Sequence, residues 1–273
     1  MKRQIKQLYR LAFARRQFYK LNKLLLECSL HGLGVHNWEN DHLSGEGHFL
    51  SRVLQDYMPK DRAPVFVDVG ANVGDYSAAL RDKYPESRIV AVEPHVANVK
   101  RLSERLPNIE TVNSALGSEV SELLLFDRSD CDGSSHASLY EEVITDLHGI
   151  PAVEHRVQMN TLDQLADDLQ IGTIDLLKID TEGHELEVLK GATKLLARNA
   201  VPLIHLEFNE MNLISRVFFR DIRHHLEGYR FYRLLPTSMI EIPELSVQSE
   251  LFAYQNVICI RQDHAFQRLQ VAG

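Results

Sequence analysis

Cysteine is scarce. Cys28, Cys131 and Cys259 stand far apart and are odd in number. That arrangement excludes a disulfide framework and a Cys-x-x-Cys zinc site, and it fits a reducing cytoplasm. No run of 18 or more apolar residues occurs, so no membrane-crossing helix is expected. Basic residues open the chain, but no long apolar segment with a small-residue cleavage site follows, so no secretory leader is read. No internal repeat and no low-complexity tract is present. What is there is ordinary globular material, 44% hydrophobic and 25% charged, which excludes a disordered chain. A length of 273 residues can bury a sizeable core without disulfides or metals.

Acidic residues are missing from the first 26 positions, which hold eight bases (Lys2, Arg3, Lys6, Arg10, Arg15, Arg16, Lys20 and Lys23). Residues 27–273 then hold 22 bases against 38 acids, a net of −16. An acidic body repels phosphate polymers, so a nucleic-acid substrate is not expected. A small neutral or sugar-like substrate suits it better.

The spacing of Leu8, Leu11, Phe18, Leu21 and Leu25 predicts a helix over 1–27. Glycines 32, 34, 45 and 47 predict a loop over 28–48, and a short helix should span 51–57. From Pro64 strands and helices alternate. Strands are expected at 65–67, 88–92, 109–112, 174–179, 203–208, 229–235 and 253–260, and helices at 76–84, 96–106, 185–196 and 217–226. Such alternation specifies an α/β fold with a doubly wound parallel sheet. The expected division is a helical extension and loop over 1–60, then one domain over 61–273. The stretch 117–160 breaks the alternation. It holds two strand-like runs, 123–126 and 156–159, around a polar segment, and reads as an insertion over the carboxyl edge of the sheet, forming part of a substrate pocket.

The sharpest motif is Asp68-Val-Gly-Ala-Asn-Val-Gly74, in which a buried strand ends in an acid and turns through Gly70 and Gly74 into a helix. The spacing is not the Gly-x-Gly-x-x-Gly of dinucleotide folds, and no Lys-Ser/Thr follows for a phosphate loop. Val90-Ala-Val-Glu-Pro94 ends the next strand in Glu93, where an acid can hold both hydroxyls of a ribose. One acid after each of the first two strands is the pattern of Rossmann-like S-adenosylmethionine-dependent methyltransferases.

The chain resembles one such family, the FkbM-type methyltransferases. The resemblance runs from about Glu46 to Asn209. It rests on Asp68–Gly74, Val92-Glu-Pro94, Asn113-Ser-Ala-Leu-Gly117, Val157-Gln-Met-Asn-Thr-Leu-Asp163 and Leu177-Lys-Ile-Asp-Thr-Glu-Gly-His-Glu185, with a weaker echo at Asn256-Val-Ile. It implies a class I methyltransferase sheet of seven strands, the last antiparallel, and O-methylation of a hydroxyl on a sugar, glycan or glycolipid, or secondary metabolite. His184 stands where a small residue is more usual. Carried over, Asp68, Gly70, Asn72 and Gly74 should cradle the methionine and ribose parts of S-adenosyl-L-methionine. Glu93 should bind the ribose hydroxyls, and Ser114 and Ala115 should face the adenine.

Asp180 follows the fourth strand, where open α/β sheets bind their ligands, and Glu207 ends the fifth. Asp180, Glu182 and Glu207 are the candidate catalytic residues, with His184 a further candidate base. Glu182 has a second reading as a helix cap, and Glu185 reads as solvated surface. Asp180 with Glu207 is a carboxylate pair of the kind Mg²⁺ takes, but two acids do not establish a metal, and positioning is the preferred role for Glu207. His136 reads as a solvated loop residue, with substrate contact as its second reading. His31, His36, His42 and His48 show no metal-ligand period. Glu46 should close the cofactor site. The partners expected are a small-molecule, sugar or glycolipid acceptor and no nucleic acid. The location expected is cytoplasmic. For residues 1–26 packing against the acidic body is the first reading, and peripheral contact with the anionic inner membrane face is the second. A non-catalytic S-adenosylmethionine-binding or scaffold protein of a glycan-assembly pathway is the alternative function.

Overall fold

Short apolar runs bounded by turns become the strands of two sheets. In chain order these are β1 (Val65–Val69), β2 (Arg88–Val92), β3 (Glu110–Val112), β4 (Ala115–Leu116), β5 (Ser121–Arg128), β6 (Ala152–Asn160), β7 (Leu176–Ile179), β8 (Leu203–Phe208), β9 (Tyr229–Leu235), β10 (Ser238–Glu241) and β11 (Gln255–Arg261). The structure, a computed structural model, describes residues 1–242 and 249–262. The parts of the 61–273 domain that fall on 243–248 and 263–273 lie outside the described residues.

The main sheet has the order β10-β9-β11-β8-β7-β1-β2-β3. Strands β3, β2, β1, β7 and β8 run parallel, and β11 lies antiparallel between β8 and β9. This is the expected doubly wound sheet with its last strand reversed. It has eight strands rather than seven, because β10 pairs with β9 as an edge hairpin. Alternate side chains enter opposite cores. Val67, Val92, Leu177 and Leu206 face one, with Leu165, Val188 and Ile222 from the helices. Phe66, Ile89, Leu176 and Ile258 face the other, with Phe49, Leu80 and Leu102.

The insertion forms its own three-stranded sheet, β4-β6-β5. β5 and β6 pair antiparallel from Ser121↔Met159 to Arg128↔Ala152, a longer hairpin than the apolar runs alone indicated.

Two expected helices are divided. The 1–27 helix becomes Lys2–Phe13 and Tyr19–Gly32. Between them Arg15 is extended, the rings of Phe13 and Phe18 pack, and Tyr9 Oη donates to Asn22 Oδ1 at 2.6 Å. The helix expected over 185–196 splits into Glu185–Lys190 and Thr193–Ala197. Gly191 lies between the two pieces, where a Cβ would collide with the carbonyl of Gly117. Asp163 then caps the second piece, accepting from Lys194 N and Leu195 N. In the loop expected over 28–48, helix continues to Gly32, and Asn40 caps a short turn at Asp41–Ser44. The segment 49–57 is helical, but as a wide turn (Phe49–Val53) followed by a tight one (Leu54–Tyr57).

Candidate active site

The functional residues gather at the carboxyl ends of β1, β2, β7 and β8. Gly70 has φ of +81°, and a Cβ there would collide with the carbonyl of Asp180. Only glycine lets the first turn press this closely on the end of β7. Asn72, also at positive φ, donates its backbone N–H to Glu93 Oε2 at 2.9 Å. The other oxygen of Glu93 accepts from His95 N at 2.9 Å. Both carboxyl oxygens are thus pinned by main chain. Burial raises the Glu93 pKa to about 7, in spite of these hydrogen bonds.

Three adjoining cavities share Gly70, Asn72 and Asp180 as walls. The first is lined by Glu93, Ser114, Ala115 and His184, with Ser134–Ser135 and Ala137–Leu139 from the insertion. The second, about 200 Å³, is lined by Glu46, Asp68, Tyr76 and Lys178. The third, about 510 Å³, is lined by Trp38, His136, Glu182, Glu207 and Tyr254. Gly74 ends the same turn at φ of +84°, where a Cβ would press on Leu102 and Leu106.

Sheet register builds the second cavity. Asp68 pairs with Lys178, and Lys178 with His205, so three polar side chains form a row inside an otherwise apolar face. Ser77 Oγ donates to Asp68 at 2.7 Å. Burial outweighs that bond and the nearby Lys178, raising the Asp68 pKa to about 6. The Lys178 ammonium lies 3.8 Å from Glu46 and 3.5 Å from Asp180. Burial works against its charge, but these carboxylates hold its pKa above the ordinary lysine value. Burial also raises the Glu46 pKa. His205 Nε2 lies 2.9 Å from Asn256 Oδ1. Since that oxygen only accepts, Nδ1 is left to accept from Tyr76 Oη at 2.8 Å. Asn256 in turn donates to Tyr254 Oη at 3.0 Å, so the chain of contacts reaches the wall of the third cavity.

In the third cavity Asn209 Nδ2 donates to Glu207 at 2.8 Å and to Glu182 at 3.2 Å. Burial, then the Asp180 charge, raises the pKa of both glutamates well above the ordinary range. His136 Nδ1 lies 3.6 Å from Glu182, so the residue read first as solvated loop faces this cavity. Burial lowers its pKa, which favours the neutral ring. Ser138 Oγ donates to the carbonyl of Glu182 at 2.9 Å, and Tyr140 Oη meets His184 Nδ1 at 3.0 Å. The insertion therefore does cover the carboxyl edge. Burial lowers the His184 pKa to about 4, so this ring is neutral too.

Two expectations need correction. Glu185 is not solvated surface. It is 1% exposed and accepts from Thr181 N, Gly183 N and Asn212 Nδ2, bracing the 180–184 loop. Glu182 is no helix cap, since it sits at φ of +50° with its carboxyl on Asn209.

The Mg²⁺ idea gains nothing. Among the described residues, the group of three or more possible ligands close enough to share an ion is His95, Asp127, Asp132 and His155, not Asp180 and Glu207. Even there His95 Nδ1 accepts from Ala97 N. Its proton is then on Nε2, which faces Asp127 and Asp132 at 3.4 Å each. Sequence alone does not name Asn209, His205 and Tyr254 as site residues, and it shows Lys178 only as part of the Leu177–Glu185 motif. The Asp68↔Lys178↔His205 register shows why Lys178 and His205 matter together.

The family model for the methyltransferase FkbM domain matches residues 68–231, more than half of the chain. Methyltransferase sdnD of Sordaria araneosa is 31% identical over 168 residues, covering 50% of this chain and 65% of the relative. Hexuronic acid methyltransferase AglP of Haloferax volcanii is 27% identical over 161 residues, covering 58% of this chain and 61% of its own length. In both, the chain spans less than two thirds of the relative. Among solved structures, methyltransferase FkbM from Methylobacillus flagellatus KT aligns with a TM-score of 0.45 at 14% identity, covering 87% of this chain and 60% of that one. On the strength of the matched domain, the chain belongs to the FkbM methyltransferase family.

Proposed function

We propose that the protein transfers a methyl group from S-adenosylmethionine to a hydroxyl of a sugar, glycolipid or secondary metabolite. The observation that carries this reading is the sharing of Gly70, Asn72 and Asp180 by three cavities. Two cavities suit the two ends of one cofactor, and the third opens on the point where those ends meet. The residues fit that cofactor. Asn72 Oδ1 is buried without a partner, Glu93 has carboxyl lone pairs to offer two ribose hydroxyls, and the second cavity sets Lys178 among acids, as an amino-acid end requires. A relative named for hexuronic acid methylation supports sugars among the acceptors.

When bound, S-adenosylmethionine supplies a methyl group on a sulfonium centre, open to in-line attack by an acceptor oxygen. Asp180, common to all three cavities, is placed to hold the acceptor hydroxyl and to take its proton. Burial raises the pKa of Glu182 and Glu207, which favours the protonated form and suits them to donate to other acceptor oxygens. His136, neutral and facing the same cavity, is the second proton acceptor.

The test is transfer of a labelled methyl group from S-adenosylmethionine to a panel of sugars, glycolipids and hydroxylated metabolites, with cofactor binding measured on the same preparation. Labelled product is expected from at least one hydroxyl acceptor. Binding without transfer to any acceptor class would favour the non-catalytic reading.

A further inference from the structure

The helices Lys2–Phe13 and Tyr19–Gly32 bury none of their own residues. Ile5, Leu8 and Leu11 are 59%, 67% and 64% exposed, and Tyr19, Leu24 and Leu26 are comparably bare. The segment is nonetheless ordered against itself and anchored at its end. Tyr9 and Asn22 join the two helices. Val35 is fully buried, Arg233 donates to Leu33 O, and His36 N donates to Tyr254 O at 2.8 Å. The anchor therefore lies against Tyr254, a wall of the third cavity. Trp38, another wall of that cavity, follows directly and is 66% exposed. It is the one tryptophan of the sequence.

Among the described residues, packing against the acidic body buries none of these helices' residues fully; Phe13 and Leu30 are half-buried, and the other large apolar side chains stay exposed. An apolar stripe with eight bases and no acid in the first 26 residues matches one surface chemistry, an anionic bilayer. Apolar residues enter the acyl boundary and Lys and Arg meet the headgroups. We propose that this helical hairpin docks on anionic membrane and brings the mouth of the third cavity, with Trp38, to the bilayer surface. Docking stands by itself. Its consequence rests on the proposed methyl transfer: the acceptor is an amphiphile, held by its lipid part in the bilayer while its hydroxyl enters the cavity.

The experiment is flotation of the full chain with phosphatidylcholine vesicles, with and without phosphatidylglycerol, at low and high salt, with Trp38 emission recorded on the same samples. Roughly tenfold more protein should float with the anionic vesicles at low salt, and most should be released at high salt. Trp38 emission should shift to the blue and be quenched by brominated lipid. The Leu8→Ser/Leu11→Ser variant, altered only at exposed positions, should lose flotation while binding S-adenosylhomocysteine as the wild type does. No flotation at low salt, flotation undiminished in the variant, or salt-insensitive self-association through these leucines in its place overturns the docking. Flotation with unchanged Trp38 emission overturns the placement of the cavity mouth. S-adenosylhomocysteine binding reads the cofactor site separately, so loss of that site cannot be mistaken for loss of docking.

Discussion

The polar groups of the first two cavities are fixed mainly by main chain and sheet, those of the third mainly by contacts between side chains. Glu93 is fixed by two backbone N–H groups from two different turns. Asp68 and Lys178 are held by strand register, and Gly70 by contact with the end of β7. In the third cavity Glu182 and Glu207 are joined by one amide, Asn209, and His136 comes from the insertion. A site held by the sheet is ready before a ligand arrives. One held by side chains can be altered without disturbing the sheet. Removing a group from one half should therefore leave the other half working.

Asp180 belongs to both halves, so the sharpest break is there. Asp180→Asn keeps shape and polarity and removes the base. Methyl transfer measured in single turnover should fall about a hundred- to ten-thousand-fold, with cofactor affinity changed far less. A rate within a few-fold of wild type would move the proton to His136.

A smaller effect comes from pH. The raised pKa of Glu93, about 7, means that the free protein holds a proton there which hydrogen bonding to ribose favours losing. Affinity for S-adenosylhomocysteine should therefore rise with pH through about 7 and level off above it. Between pH 8 and pH 6 the loss should be about tenfold, the factor by which the ionised form is depleted. Glu93→Gln should bind weakly and with a flat profile. A steep profile in that variant would assign the titration to another group.

The smallest expected change tests how far the insertion supports the third cavity. Ser138→Ala removes the hydrogen bond to the carbonyl of Glu182 and the one accepted from Tyr140 N, contacts of about 1 kcal/mol each. Ser138 also lines the first cavity, so the change should slow transfer several-fold and weaken cofactor binding less. Equal losses in both would mean that the two halves are not separate.

The same division governs what the sequence revealed. Glu93, Asp68 and Gly70 were legible because a strand, an acid and a turn are neighbours in sequence, and the two strand-end acids follow a local pattern. The sheet was legible for the same reason, apart from the short β4 and β10. Of the third cavity the acids Asp180, Glu182 and Glu207 were legible, but its outline was not, because the other walls come from residues as far apart as Trp38, His136 and Tyr254. Glu185 was misread because its burial at the start of a helix is set by Thr181, Gly183 and Asn212 together. Lys178 looks like an interruption of an apolar strand until the register sets it between Asp68 and His205.

The central claim is that the pinned carboxylate of Glu93 makes the first cavity a cofactor site. Calorimetric titration of wild type and Glu93→Ala with S-adenosylhomocysteine tests it most directly. The wild type should bind and the variant should bind about a hundredfold more weakly, since charge-assisted hydrogen bonds to two hydroxyls are lost. No binding by the wild type, or equal binding by the variant, would contradict it.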